Sequence, residues 1–153
     1  MANSKRSDIH YPQPMTEITD HLRNLAEGYT NAWCSQDAAS VAAFYSPDGS
    51  LTINNGPPSV GRAAIAQAAL GFMTSFPDMK IFMDDLTIDG EFAVYYWTLQ
   101  GTNTGPGGTG KKVLFSGFEK WRIGKDGLIA ESKGQFDTAV YQKQIEQGVD
   151  DPQ

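Results

Sequence analysis

The hydrophobic period of this chain changes once, at Lys80, and that change limits the fold more than any other feature. From Lys80 onward apolar residues alternate with polar ones at period two, the mark of strands half-buried in a sheet. Lys80–Ile88 and Glu91–Gly101 flank Asp89-Gly90, a strong hairpin signal. Lys111–Ile123 and Leu128–Phe136 flank a Lys125-Asp126-Gly127 turn. The expectation is a four-strand antiparallel meander.

Before Lys80 the period is helical. Ile18, Leu22, Leu25, Tyr29, Ala32 and Trp33 fall on one face of a helix that Thr16 can cap and that runs to about Ser35. Asp37 can cap a short second helix through Tyr45, which Pro47-Asp48-Gly49 breaks. A short strand, Ser50–Ile53, leads into a loop over Asn54-Asn55-Gly56-Pro57-Pro58, where turn formation explains both asparagines. Gly61–Ser75 reads as a third helix that Pro77 ends, and Thr138–Gln147 as a final one stopped by Gly148. Three helices followed by a meander give an α+β fold, with residues 15–150 as one domain behind a disordered arm, residues 1–14.

Charge and composition exclude several partners. The chain of 153 residues carries a net charge of −6, so no basic stripe suits nucleic-acid phosphate or an anionic membrane surface. No apolar run approaches the roughly 20 residues of a membrane span. Met1 to Pro14 holds no apolar segment of signal-peptide type, so the expected location is the cytoplasm. The single cysteine, Cys34, rules out a disulfide within the chain, and His10, His21 and Cys34 form no metal-ligand or Cys–His nucleophile pattern. Gly105–Lys111 resembles a phosphate loop only superficially. Lys112 stands where a hydroxyl residue belongs and a strand follows, so a flexible hairpin tip is expected, and no cofactor.

Glu91–Gly101 is apolar on both faces. One carries Ala93, Tyr95, Trp97 and Leu99, the other Phe92, Val94 and Tyr96. Helices cover one side of such a sheet, so the other calls for a partner, most simply a second copy in a homodimer. Cover by the C-terminal helix and the arm is the alternative.

Several phrases, in order, resemble the SnoaL-like polyketide cyclases of the NTF2-like superfamily. They include Ala32-Trp33-Cys34-Ser35-Gln36-Asp37 with Phe44-Tyr45, Gly61-Arg62-Ala63-Ala64-Ile65 and Phe76-Pro77-Asp78. Gly101-Thr102-Asn103-Thr104-Gly105, Asp126 to Glu131, Phe136-Asp137 and Tyr141 to Gln144 continue the match, over about Glu17 to Gly148. The resemblance implies a roll of helices over a curved sheet enclosing a mostly apolar pocket. Members of this fold include isomerases, cyclases, dehydratases and non-enzymatic binders.

Glu119 is the leading candidate for chemistry. Val113, Phe115, Gly117, Glu119, Trp121 and Ile123 share one face of their strand, and Lys120 and Arg122 on the other should face water. Glu119 is then desolvated among aromatics, with a raised pKa that suits a neutral acid. A bulge at Gly117 would flip the register and turn Glu119 outward. With no cation on its face, replacement by leucine is expected to preserve or raise stability. By resemblance to ketosteroid isomerases, Tyr29 and Glu119 stand at the electrophilic positions, whereas Ile53 stands at the general base and takes no proton. Gly134 falls where epoxide hydrolases of the superfamily place an acid. Asp137 matches the aspartate ending the last strand, where it can either cap the final helix or reach the pocket mouth. Trp33, Ile53, Phe72, Phe76, Trp97, Phe115 and Trp121 are the expected lining for a small apolar molecule; plain core packing is the alternative for the aromatics.

Overall fold

The computed structural model describes residues 17–149. The arm expected over residues 1–14 and the cap expected at Thr16 lie outside them. Helix α1, Asp20–Cys34, begins instead at Thr19, whose hydroxyl accepts the Leu22 N–H at 3.0 Å. Its expected face is buried, with Leu22, Leu25, Tyr29, Ala32 and Trp33 all in the core. Asp37 caps α2, Ala38–Ala42, through the Ala39 N–H.

That helix is shorter than expected, because Tyr45 already belongs to strand β1, Tyr45–Ile53. Pro47-Asp48-Gly49 does not separate helix from strand. The strand absorbs it as an irregularity, with a register shift between Tyr45 and Ser50. Proline is tolerated there because a bulged stretch needs no ladder N–H. A two-residue strand β2, Ser59–Val60, follows, then α3, Arg62–Ser75.

The period-two region forms β3 (Lys80–Asp89), β4 (Phe92–Thr102), β5 (Lys112–Ile123) and β6 (Ile129–Phe136), and α4 is Thr138–Gln147. All pair antiparallel in sequence order. The sheet has six strands in the order β2-β1-β6-β5-β4-β3. Its new element is the parallel pairing of β1 with β6, which sets Leu51 against Ser132 and Ile53 against Gly134. Four helices and a curved six-stranded sheet thus make up the described α+β roll.

Alternation along β4 divides the sheet into two environments. Ala93, Tyr95 and Leu99 are buried beneath the helices, whereas Tyr96 points outward beside Phe118. Helix α4 does not cover that outer side. Its Tyr141 packs on Phe76, Phe115 and Phe136, and its Gln144 amide pairs with both the N–H and C=O of Leu114. That side chain imitates a neighbouring strand and blocks a free edge of β5. The connection between β4 and β5 is tied down rather than loose. The Asn103 amide donates to the Ser75 carbonyl, the Gly105 N–H donates to the same oxygen, and a Cβ on Gly105 would collide with Thr74 backbone.

Candidate functional site

Between α1, α3 and the inner face of the sheet lies a half-open cavity. Water-molecule centres fit over about 50 Å³ of it, and its total empty volume, mouth included, is about 520 Å³. The wall is almost wholly apolar. Trp33 and Phe72 come from the helices, Leu51 and Ile53 from β1, and Ile81 from β3. Tyr95, Trp97 and Leu99 come from β4, Glu119 from β5, and Gly134, Gln135 and Phe136 from β6.

Glu119 faces inward, as the alternation requires. Gly117 makes no bulge, since it pairs in register with both Trp97 and Phe136. The Glu119 side chain is only 7% exposed. Its Oε1 accepts three hydrogen bonds: from the Tyr29 hydroxyl at 2.9 Å, from Trp121 Nε1 at 2.9 Å and from the Ser132 hydroxyl at 2.8 Å. The Tyr29 and Tyr45 hydroxyls lie 2.9 Å apart and extend the network into β1. Burial pushes the Glu119 carboxyl above the usual carboxylate range, and hydrogen bonds from Trp121, Ser132, Tyr29 and Tyr45 pull against it without reversing the direction. Tyr29 and Tyr45 are also raised well above an ordinary phenol, first by burial and then by the charge of Glu119.

This network corrects the expectation for leucine at position 119. The sequence shows no cation on that face, but donors come from α1, from β6 and from Trp121 two residues along β5. An apolar side chain would leave the Trp121 indole N–H without its acceptor, whereas the Tyr29 hydroxyl would keep Tyr45, and a buried unpaired donor costs about 1–3 kcal/mol.

The structure sorts the remaining candidates. Trp33, Ile53, Phe72 and Trp97 line the cavity as expected. Three others lie outside its wall. Phe76 is fully buried against Tyr141, Phe115 packs among Trp97, Phe136 and Tyr141, and Trp121 stacks on Tyr95 behind Glu119. All three occupy inward positions, so alternation alone cannot separate the wall from the layer beneath it. Tyr29 is likewise absent from the wall. It is fully buried behind the wall residues Trp33 and Tyr95 and hydrogen-bonds the wall residue Glu119. Asp137 caps α4, accepting from the Ala139 and Val140 N–H groups at 2.9 and 3.1 Å, and is exposed.

Sequence reasoning missed Leu51, Ile81, Tyr95, Leu99, Gly134, Gln135 and Phe136 as lining. It also gave Asn54 and Asn55 too small a part. Both have positive φ, at 51° and 61°, as a tight turn demands. In addition, the Asn54 side-chain Oδ1 accepts the Phe136 N–H at 2.8 Å and the Asn55 side-chain Oδ1 accepts from the Gln135 amide at 3.1 Å. The turn therefore fixes two wall residues.

Among the described residues no three His, Cys, Asp or Glu side chains converge as a metal-binding group. His21 instead bonds to the Gly127 carbonyl, and Cys34 to the Ile81 backbone. No described helix is long and apolar enough to cross a membrane.

Comparison with known proteins agrees with this architecture. A sequence profile of the SnoaL-like domain matches residues 26–132, well over half the chain. The chain belongs to the SnoaL-like family. The matched span runs from α1 to Ser132 on β6 and holds Tyr29, Glu119 and Trp121. Similar solved structures include a protein from Jannaschia sp. CCS1 provisionally named a SnoaL-like polyketide cyclase. It is 15% identical at a TM-score of 0.75, covering 90% of this chain and 99% of its own. A protein from Xanthomonas campestris pv. campestris, provisionally named a polyketide cyclase, is 22% identical at 0.64, covering 84% and 99%. A hypothetical protein of ketosteroid isomerase-like fold from Catenulispora acidiphila is 12% identical at 0.63, covering 72% and 82%. At these identities the likeness is one of fold. No protein of curated function matches the chain.

Proposed function

We propose that this SnoaL-like domain binds a small apolar molecule bearing a carbonyl oxygen, and that Glu119, held as a neutral acid, polarises that oxygen in a cofactor-free cyclisation, isomerisation or hydration. The observation that carries this reading is a single carboxyl group set in an almost wholly apolar wall, its pKa raised by burial. An indole N–H can only donate, so Trp121 makes Oε1 an acceptor in either charge state and leaves the acid proton to Oε2. Tyr29 then acts as a positioning residue. It holds the carboxyl and does not touch the ligand. Asp137, committed to its helix cap, has no part in this scheme.

The test is the affinity of a ketone probe such as 1-tetralone across pH. Wild-type binding should weaken as pH rises through the raised Glu119 pKa, because the anion cannot donate. Glu119→Gln, always neutral and a donor, should bind with no such dependence. Equal pH profiles for the two proteins would contradict the assignment.

A second reading has its own support. Ile53 and Gly134, at the positions where related enzymes carry a base or acid, are both wall residues and neither takes a proton. That favours a ligand-holding module without turnover, and catalysed exchange of the probe's α-hydrogens with deuterated water would argue against it.

The outer sheet face supports a homodimer. Phe82, Tyr96 and Phe118 are 46%, 37% and 36% exposed there, and Tyr96 and Phe118 are paired across β4 and β5. Sedimentation should give a dimer at tens of micromolar, and Tyr96→Asp should shift it toward monomer. A wild-type monomer at that concentration would exclude this interface.

A further inference from the structure

Two inward-facing glycines stand on neighbouring strands, Gly117 on β5 and Gly134 on β6, and they are there for different reasons. A Cβ on Gly117 would meet the Gln135 carbonyl oxygen at 2.4 Å and Trp97 Cζ2 at 2.6 Å, so the packing of the strands demands glycine. A Cβ on Gly134 would meet nothing closer than Glu119 Cγ at 3.5 Å, with the Thr52 and Phe118 carbonyl oxygens at 3.7 and 3.8 Å. Those are ordinary van der Waals contacts. Nor does the backbone need glycine, because Gly134 lies inside β6 and its φ is not positive. Glycine weakens the interior of a strand, so its presence where alanine would fit calls for a reason other than the fold.

Register places Gly134 in a row across the inner face of the sheet. Tyr95 on β4 pairs with Glu119 on β5, Glu119 pairs with Gly134, and Gly134 pairs with Ile53 on β1. All four line the cavity. The other three carry side chains, so the row has a gap one strand wide between Glu119 and Ile53. Strands stand about 4.8 Å apart, which puts the backbones of those two residues about 10 Å from each other. Along β6 the next inward residues are Ser132, bonded to Glu119, and Phe136, another wall residue. The gap therefore lies directly beside the carboxylic acid of the wall.

We infer that Gly134 is a specificity-determining position: its missing side chain opens a recess beside Glu119, which suits the pocket to ketones that carry bulk on a carbon next to the carbonyl. This rests on Glu119 meeting the ligand oxygen, as proposed above, and adds a steric requirement to that contact. With the oxygen on Glu119, the carbons flanking the carbonyl are the part of the ligand nearest Gly134. A side chain at position 134 would fill the recess and collide with substituents there, and a ligand without such substituents would suffer less.

The experiment compares 1-tetralone with 2,2-dimethyl-1-tetralone, which adds two methyl groups beside the carbonyl, on the full chain. Wild type should bind both, the dimethyl ketone at least as tightly because it buries more apolar surface. Gly134→Ala should weaken binding of the dimethyl ketone about tenfold relative to 1-tetralone, as expected when a methyl is forced into occupied space. Its melting temperature should equal or exceed that of wild type, because alanine replaces a strand-interior glycine. The methyl resonance introduced by the substitution should shift when 1-tetralone is added. An unchanged ratio of dissociation constants, or a stationary methyl resonance while the ketone binds, overturns the inference. A clear loss of stability in Gly134→Ala also overturns it, since packing would then explain the glycine. So does a wild type that binds 1-tetralone and rejects the dimethyl ketone. The Glu119 reading is judged separately, by the pH dependence of 1-tetralone binding in wild type and its absence in Glu119→Gln. Failure of both probes to bind wild type at millimolar concentration would overturn both readings.

Discussion

At the Glu119 end of the cavity the protein satisfies its own polar groups, whereas at the Trp97 end it does not. Tyr29, Trp121 and Ser132 converge on one carboxylate oxygen from α1, β5 and β6. Two residues away along the sheet, an indole N–H is buried with no partner. The difference teaches that polar satisfaction is uneven along two neighbouring strands of one sheet. A satisfied buried network is rigid and specifies one arrangement, while an unsatisfied buried donor is a standing cost to the fold.

Gly117 lies between the two ends and offers the most drastic way to break the comparison. A Cβ there would stand 2.4 Å from the Gln135 carbonyl oxygen and 2.6 Å from Trp97 Cζ2. The first contact is backbone and cannot move aside cheaply. Gly117→Ala should therefore cost about 3 kcal/mol in urea unfolding, at the upper end for overpacking. A variant as stable as wild type would mean the two strands are not held this closely.

The next effect separates the ends. Glu119→Leu should destabilise by about 2 kcal/mol, because the buried Trp121 indole N–H loses its acceptor. Glu119→Gln keeps an acceptor oxygen for Trp121 and should stay within about 1 kcal/mol of wild type. Melting curves of the two variants check this. Equal stabilities would show that the network contributes little.

A smaller effect appears in pH dependence. The folded pKa of Glu119 is raised, so the native state holds this proton more tightly than the unfolded chain. The associated stability is fully present below the ordinary glutamate pKa and is lost as pH rises through the folded value. Its slope cannot exceed about 1.4 kcal/mol per pH unit for one group. Urea midpoints across that window should decline more steeply for wild type than for Glu119→Gln. Parallel declines would assign the slope to other groups.

The legibility of the sequence follows the range of the interactions concerned. Period-two alternation and Asp-Gly turns are local, and β3 to β6 appeared where they pointed. The inward aspect of Glu119 followed from the same alternation, once Lys120 and Arg122 were given to solvent. Tyr45 to Gly49 misled because helix-ending and strand-bulging residues look alike until the partner strand is known. That partner, β6, lies some eighty positions along the chain, and nothing local in β1 announces a parallel pairing with it. The site was half legible for a related reason. Inward-facing aromatics could be recognised, but whether each reaches the cavity depends on depth. Phe115 and Trp121 face inward yet lie covered by other rings, while Tyr95 and Phe136 reach the wall. The donors that meet Glu119 come from three elements, so leucine at that position looked harmless in the sequence and does not in the fold.

The central claim is that Glu119 is a buried, protonated acid at the cavity wall. A carboxyl-carbon NMR titration of wild type, with its Glu119 resonance identified by its loss in Glu119→Gln, tests it most directly. The account predicts a midpoint clearly above that of an ordinary glutamate, moved further upward by Ser132→Ala, which removes a donor that favours the anion. A midpoint at the ordinary value, unmoved in Ser132→Ala, would contradict it.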